Sequence, residues 1–472
     1  MQDEHREKTH MDYAYDLDLV IKPESQVPVI GREFGYYSGA GIPLFALGGG
    51  VYRSILSYIL MKFHALRGYY LVETPILASS NLFGLSGHIE FYRKNMFLLD
   101  IEGHEYAIKP MNCPYHILVF MHEIARYRNK VPLPFKVFEL GRVHRYEPSG
   151  SLYGLLRVRA FTQDDAHIIT PGEKAVDSIY SVFEEMKSLY ENLYSLPVNR
   201  DTVRLRLSFS DPQLIGTEFM GDPGEWSEAE EMLTKAADRI KADHGIDYSI
   251  EKGEAAFYGP KIDVIMTIEE AGITKEWQIG TIQFDFNLPR RFKLYDLVRE
   301  VYGERSLFII HRALQGSLER FLGVYLEYSK GRLPFVLAPI QVAVVAIKTG
   351  GDIDERILGF ATALTDNLHR LGLRTALVEA DKTGLSGVVR KIESTVKPPI
   401  HVYIGAREVE KGTLSIRVYD YAKRRHSTKT LEAPTPSDGA ESLDEVARSL
   451  EDGVYKLIGE APRVPVNLSH IV

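Results

Sequence analysis

At Gly331-Arg332-Leu333-Pro334 the texture of the chain changes, and the change constrains it to two unlike domains. Upstream, long runs alternate apolar and polar residues, the period of a half-buried strand. Strands are predicted over Phe135–Leu140, Arg157–Thr170, Ala256–Ile268, Thr274–Asn287 and Ser306–His311. Between them the 3.6-residue period predicts helices over Val51–Arg67, Glu173–Leu193, Ser227–Asp243 and Gly316–Tyr328. In the first of these, Ile55, Ile59 and Phe63 recur at four-residue spacing. The succession implies an α+β domain, a mostly antiparallel sheet with helices packed on it. Downstream, short apolar strands (Ile340–Ile347, Arg374–Glu379, His401–Ile404, Thr413–Tyr419) are interleaved with helices (Asp354–Leu371, Ser386–Thr395, Glu441–Leu457). That is a smaller α/β domain with a mixed sheet, about 135 residues long and of usual size. The expected division is an arm over 1–35, a first domain over 36–335 and a second over 336–472. The stretch 433–439, rich in Pro, Ser, Thr and Gly, is expected to be a loop, and Gly48-Gly49-Gly50 a turn.

Composition excludes several classes. Of 472 residues, 45% are apolar and 25% charged, values of an ordinary globular protein. No apolar stretch is long enough to span a bilayer. The N-terminus, MQDEHREKTH, lacks an apolar signal core. A single cysteine forms no intrachain disulfide and fits a reducing, cytoplasmic setting. A net charge of −8 argues against nonspecific coating of nucleic acid, yet leaves room for local basic patches. No internal repeat, Walker loop or GxGxxG is present.

Residues 157–167 read Arg-Val-Arg-Ala-Phe-Thr-Gln-Asp-Asp-Ala-His. Alternate side chains of a strand share a face. Arg157, Arg159, Phe161, Gln163, Asp165 and His167 therefore fall together: two cations, a ring, an amide, a carboxylate and an imidazole. An ordinary solvated face of Lys, Glu and Thr is the bland alternative; this mixture suits a pocket floor for a ligand with phosphate, base and amine parts. Just upstream, Arg145 and Glu147 stand two apart before a Pro148-Ser149-Gly150 turn. Further on, His311 precedes a helix whose apolar stripe is Leu318, Leu322 and Tyr325, with Arg320 off that stripe. Taken singly, Arg145 and Arg320 read as surface cations. The lone Cys113, in Lys109-Pro110-Met111-Asn112-Cys113-Pro114, reads alone as a small buried hydrophobe. Were it to converge with His167 and His311, the three would form a metal site with an open position, the pattern of a working rather than a structural zinc.

Together these segments resemble the class II aminoacyl-tRNA synthetases. Tyr70–Pro75 resembles their motif 1, His144–Glu147 with Arg157–His167 motif 2, and Gly316–Phe321 motif 3. More narrowly, Lys109–Pro114, Glu147–Tyr153, Ala256–Lys261, Gln278–Asp285 and His311–Phe321 resemble threonyl-tRNA synthetase. The resemblance implies a homodimeric ligase that activates L-threonine with ATP and Mg²⁺ and passes it to tRNA(Thr). It implies one zinc per subunit on Cys113, His167 and His311. Arg145 and Arg320 are implied to hold the ATP phosphates, with Arg157 reaching the outer ones, Glu147 at the adenine amine and Phe161 stacked on the base. Lys261, Gln278, Thr281, Tyr258 and Gln283 are implied to line the amino acid and adenylate pocket; Met111, Gln163 and Asp165 are further implied to serve the amino acid. If Gln278 and Thr281 both point inward, the strand needs a bulge at Gly280.

The implied chemistry is in-line attack of one anion on another, which needs fixed cations and positioning more than covalent help. The implied metal addresses selection. An apolar pocket separates threonine from valine only about a hundredfold, whereas a site that requires the hydroxyl reaches about 10⁴–10⁵. Serine lacks only a methyl, worth about 1–3 kcal/mol, so serine errors are expected. The short arm implies no editing of Ser-tRNA(Thr) in cis and a separate protein that edits in trans. In the second domain, the resemblance assigns Glu410 and Arg417 to the anticodon. Tyr419 stands where a basic residue is familiar, which suggests base stacking. Lys423-Arg424-Arg425 offers a phosphate contact, or a plain solvated loop. Tyr115 replaces a familiar glycine and either narrows the pocket or packs. Two other readings remain: a non-catalytic paralogue that binds RNA, and a serine-specific class IIa enzyme.

Overall fold

The structure, a computed structural model, describes residues 8–22, 39–270, 273–303, 306–381 and 383–464, without the side chains of 268–270 and 273. Of the arm expected over 1–35, the remainder lies outside the described residues.

The alternating runs pair into one eight-stranded sheet. Its order is Tyr70–Leu71, Phe135–His144, Ala160–Pro171, Leu307–Ser317, Ile273–Asp285, Lys261–Glu270, Val203–Phe209, Tyr248–Lys252. All the inner pairings are antiparallel. The outermost pairing at each edge is parallel. Parallel neighbours need a crossover; at one edge the Pro223–His244 helix supplies it. Register does the functional work: His311 pairs with His167 on one side and with Gln283 on the other. The expected bulge is present as a register shift between Gln278 and Gly280. A Cβ at Gly280 would stand 2.7 Å from the Leu314 carbonyl oxygen, so the kink requires glycine.

Helices Leu47–Ala65, Ala175–Tyr194 and Leu318–Ser329 bury apolar faces in the main core. Gly48 and Gly49 belong to the first of these helices and not to a turn. They let the helix start against the backbone of Leu17–Leu19, where a Cβ on Gly49 would run into the Leu19 carbonyl. Tyr13, Ala14, Leu17 and Leu19 join the same core, so this part of the arm is packed. Elements not expected include the small sheet Leu77–Ser79, His104–Ile108, Phe97–Ile101, the helices Cys113–Tyr127 and Leu294–Tyr302, and the strands Val203–Phe209 and Tyr248–Lys252.

A second sheet runs in the order Thr375–Asp381, Val342–Lys348, Ile400–Ile404, Thr413–Asp420, Arg425–Glu432. Its first three strands are parallel and its last two antiparallel. The edge strand Arg425–Glu432 is polar and mostly exposed, which hid it from a search for apolar alternation. The closing helix is Pro436–Ile458; the Thr435–Asp438 segment read as loop is its N-terminal capping box, with Pro436 in the first turn. Val336, Ala343, Val345, Val454 and Leu457 bury into the same core as the large sheet, which fixes the two sheets together. Among the described residues no helix is long and apolar enough to cross a membrane.

Candidate active site

The middle of the large sheet opens into a cleft of about 500 Å³. Every residue assigned above to ATP, to the amino acid or to the metal lines it, so segments from residue 111 to residue 320 converge there. Phe161, Gln163, Asp165 and His167 reach it from one strand by simple alternation. Arg159 does not. The strand begins at Ala160, so the alternation does not extend back to it; its Nε donates to the Glu147 carbonyl at 2.8 Å, and Val158 faces the cleft instead.

At the floor stand Cys113, His167 and His311, all buried, with ligand atoms within 4.8 Å of one another. Their outer partners fix the imidazole tautomers. Glu139 accepts from Lys109 Nζ at 2.9 Å and from Thr74 N and Oγ1 at 3.2 and 2.8 Å, which marks it as a carboxylate. Burial works against its ionisation, but hydrogen bonds from His116 and Lys109 overcome this and hold its pKa down to about 2. His116 Nε2, 3.0 Å away, therefore donates to it, which leaves His116 Nδ1 to accept from His167 Nδ1 at 2.7 Å. Likewise His311 Nε2 donates to Asp285 Oδ2 at 2.8 Å. Both rings then aim a free lone pair at the same point: His167 Nε2 and His311 Nδ1 face each other at 2.8 Å. A proton could bridge them only by charging a ring, and burial drives the His167 pKa well below its usual value. Cys113 completes the set from the first turn of its helix. Burial, with Asp165 and Asp285 nearby, pushes its thiol pKa well up, so it ionises only for a cation. One sulfur and two imidazoles backed by carboxylate relays could hold a cation such as zinc, with a position left open.

Beside this floor the polar side chains hydrogen-bond to one another. Asp263, fully buried, accepts from Gln278 Nε2 at 2.6 Å, Thr281 Oγ1 at 3.1 Å and Lys261 Nζ at 2.7 Å. Tyr258 donates to Gln283 at 2.7 Å, and Asn112 to Asp165 at 2.8 Å. At the far end three guanidiniums gather. Arg320 Nε donates to the Leu156 carbonyl at 2.9 Å, and its pKa is lowered first by burial and then by Arg145 and Arg157. Arg145 lies 5.1 Å above the Phe161 ring, while Arg157 pairs with Glu147 at 2.8 Å. One carboxylate among three cations leaves that end poised for an anion. Arg320 is thus mostly buried, not the solvent-facing residue its place off the apolar stripe suggested.

The comparisons agree with this geometry. The tRNA synthetase class II core domain family (G, H, P, S and T) matches residues 96–329, and the anticodon binding domain family matches 341–433. A curated threonine–tRNA ligase catalytic subunit from Aeropyrum pernix is 58% identical over 467 residues, 99% of both chains. The chain belongs to the threonyl-tRNA synthetase family. The crystal structure of ThrRS-1 from Aeropyrum pernix superposes with a TM-score of 0.95 at 59% identity, over 98% of this chain and 100% of that one. A threonine–tRNA ligase from Synechococcus elongatus is 38% identical over 82% of this chain, but the match covers only 62% of the longer relative. Class II synthetases use ATP and Mg²⁺, which accounts for a cleft rich in arginine.

Within this family fold the second domain carries its own cavity. Arg417 lines it with Arg390, Tyr403 and Ser415. Glu410 does not; it is exposed on the Ala406–Lys411 helix outside that cavity. Tyr419 is not open to a base either. It is 7% exposed, with the Arg332 guanidinium 4.3 Å over its ring and His426 against its edge. Tyr115 packs, its hydroxyl donating to the Leu77 carbonyl at 3.2 Å, and does not line the cleft. Of the basic cluster, Lys423 pairs with Asp420 at 3.2 Å and Arg424 lies 4.8 Å over Tyr328. The sequence reading missed the residues behind the cleft. His116 and Glu139 sit among apolar neighbours with no motif of their own, although His116 follows Cys113 by one helical turn; Lys109 opens the Lys109–Pro114 segment but was given no role. Asp263 was visible only as a polar break in a strand pattern, and Asp285 closed the Gln278–Asp285 segment without a role assigned to it.

Proposed function

We propose that this chain activates L-threonine with ATP and transfers it to tRNA(Thr), with aminoacylation in residues 36–335 and tRNA reading in 336–472. One observation carries the reading: a single cleft joins three guanidiniums at one end to a thiol and two imidazoles at the other. Arg145, Arg320 and Arg157 bind and align the triphosphate, with Glu147 released from Arg157 to meet the adenine amine and Phe161 beneath the base. Tyr258, Gln283, Met111, Gln163 and Asp165 hold the amino acid, and the Lys261, Gln278, Thr281 and Asp263 network fixes the wall beside it. Zinc on Cys113, His167 and His311 would supply a Lewis-acid anchor for the amine and hydroxyl of threonine.

Such a site excludes valine, which cannot offer a hydroxyl, but separates serine by only about 1–3 kcal/mol. The chain accordingly forms Ser-tRNA(Thr), to be cleared by a separate editing protein. A homodimer is supported by the exposed Tyr70 and Leu71 on the edge strand of the large sheet and the exposed Ile76 and Leu77 just downstream where the small sheet starts, an apolar stretch that a monomer seldom leaves bare. One thiol and no disulfide suit the cytoplasm. Threonine-dependent ATP–pyrophosphate exchange, run beside serine, valine and proline, tests the reading. Silence with all four amino acids would leave a non-catalytic RNA-binding protein. Serine exchange without threonine exchange would make it a serine enzyme.

A further inference from the structure

Away from the cleft, the second sheet holds another convergence of metal-ligating atoms. Glu393 comes from the Leu385–Ser394 helix, His401 from the strand Ile400–Ile404 and His426 from the edge strand Arg425–Glu432. Their ligand atoms lie within 4.8 Å of one another. Both Nε2 atoms approach the same carboxylate oxygen, Glu393 Oε1, at 2.8 Å from His401 and 3.0 Å from His426. Both contacts lie at ion-pair distance but neither is aligned as a hydrogen bond, so Oε1 and all four ring nitrogens are buried without an aligned hydrogen-bond partner. His401 is 0% exposed. A buried polar atom without a partner costs about 1–3 kcal/mol, and several at one point are not accounted for by packing. The carboxylate's other oxygen is held by Arg332 of the interdomain linker. That arginine fixes the carboxylate and leaves Oε1 turned toward the rings.

We propose that Glu393, His401 and His426 bind a second divalent cation, of the borderline class of Zn²⁺. Two imidazoles and one carboxylate are ligands of that class, and water would complete the shell. Arg332, Arg417 and Lys397 stand near and tune the affinity downward; the carboxylate carries the opposing charge. The cation would clasp a helix to two strands across the sheet and, through Arg332, hold the linker. The site lies apart from Cys113 and needs nothing from the aminoacylation reading.

The full chain is stripped with chelator, reloaded with Zn²⁺, desalted and assayed for metal by mass spectrometry. Two equivalents are expected in the wild type, one in His426→Gln and one in Glu393→Gln; Cys113→Ala should also hold one. Reloading with Co²⁺ separates the sites, since only the Cys113 site gives thiolate charge transfer. In Cys113→Ala, Zn²⁺ should raise the melting temperature, and Cys113→Ala with His426→Gln should lose that rise. The proposal is overturned if His426→Gln and Glu393→Gln, folded by circular dichroism, keep the wild-type metal count. A wild type with one equivalent that Cys113→Ala abolishes would overturn it equally.

Discussion

The relay behind the metal floor makes a quantitative prediction at His116. This side chain is fully buried and does not line the cleft, yet through its contact with His167 it fixes which nitrogen of that ring is free. His116→Leu removes the acceptor 2.7 Å from His167 Nδ1 and the donor 3.0 Å from Glu139 Oε2. His167 could then carry its proton on Nε2 and turn a donor toward the metal position. Loss of a hydrogen-bond partner that orients a metal-binding imidazole costs about 10–100-fold in metal affinity, or about 1.4–2.7 kcal/mol. Folding stability should fall by about 1–3 kcal/mol, because Glu139 loses one charged-state donor but keeps Lys109 and Thr74. His116→Gln is the control, since its amide offers both an acceptor for His167 and a donor for Glu139. Zinc affinity is read by competition with a chromophoric chelator, and threonine activation by ATP–pyrophosphate exchange. The expected order is wild type, then His116→Gln, then His116→Leu, in both readouts. Equal zinc affinity in His116→Leu and wild type would refute the relay, even if stability fell.

Cys113→Ala should lose the cleft's zinc and threonine activation while staying folded, seen as loss of thiolate charge transfer with Co²⁺ and of exchange activity. Arg320→Ala should lower ATP–pyrophosphate exchange by about 10²–10³-fold, the usual cost of one preorganised donor to developing charge, with zinc content unchanged. Gly49→Ala should destabilise the fold by about 1–3 kcal/mol in urea titration, since its Cβ has no room beside the Leu19 carbonyl. The Glu139 pKa is depressed to about 2, so its stabilisation is complete above the ordinary carboxyl range near 4.5 and is lost as pH falls toward 2. Glu139→Gln should therefore flatten the acid limb of the stability curve between those values.

What the sequence disclosed depended on whether a residue's position was set by a local period. Phe161, Gln163, Asp165 and His167 were placed in one cleft by the two-residue repeat alone, and the bulge at Gly280 followed from asking that Gln278 and Thr281 share a face. The repeat failed at Arg159, where the strand had not yet begun. It was silent on the opposite face, where Asp164 accepts from the Leu314 and Gln315 backbone amides at 3.0 and 3.1 Å and so holds the register shift between Ala313 and Ser317. The closing helix was started late because its capping box is composed of the residues that also make loops. The edge strand Arg425–Glu432 was missed because its side chains are polar and mostly exposed, so no apolar alternation marks it. Glu139 and His116 could not be found from spacing at all, since their relation is made by the pairing of a strand and a helix.

The cleft is unevenly prepared for its two substrates, and this orders how they should bind. Around the amino acid position, Asp263, Gln283, Asp165, Asp285 and Glu139 each already accept from a neighbour, so those side chains are held before threonine arrives. Preorganised donors and acceptors contribute most when nothing must rearrange as charge develops. At the phosphate end burial lowers the Arg320 pKa first and the repelling charges of Arg145 and Arg157 lower it further, while Glu147 pairs with Arg157. An incoming triphosphate relieves that repulsion and competes for Arg157, freeing Glu147 for the base. ATP should therefore reorganise its own half of the cleft, while threonine meets a site already set. Selection by side-chain chemistry then resides in the rigid half, and ATP binding should raise threonine affinity little. A Kd for threonine that fell more than tenfold with a non-hydrolysable ATP analogue would show instead that the amino acid site is built by the nucleotide.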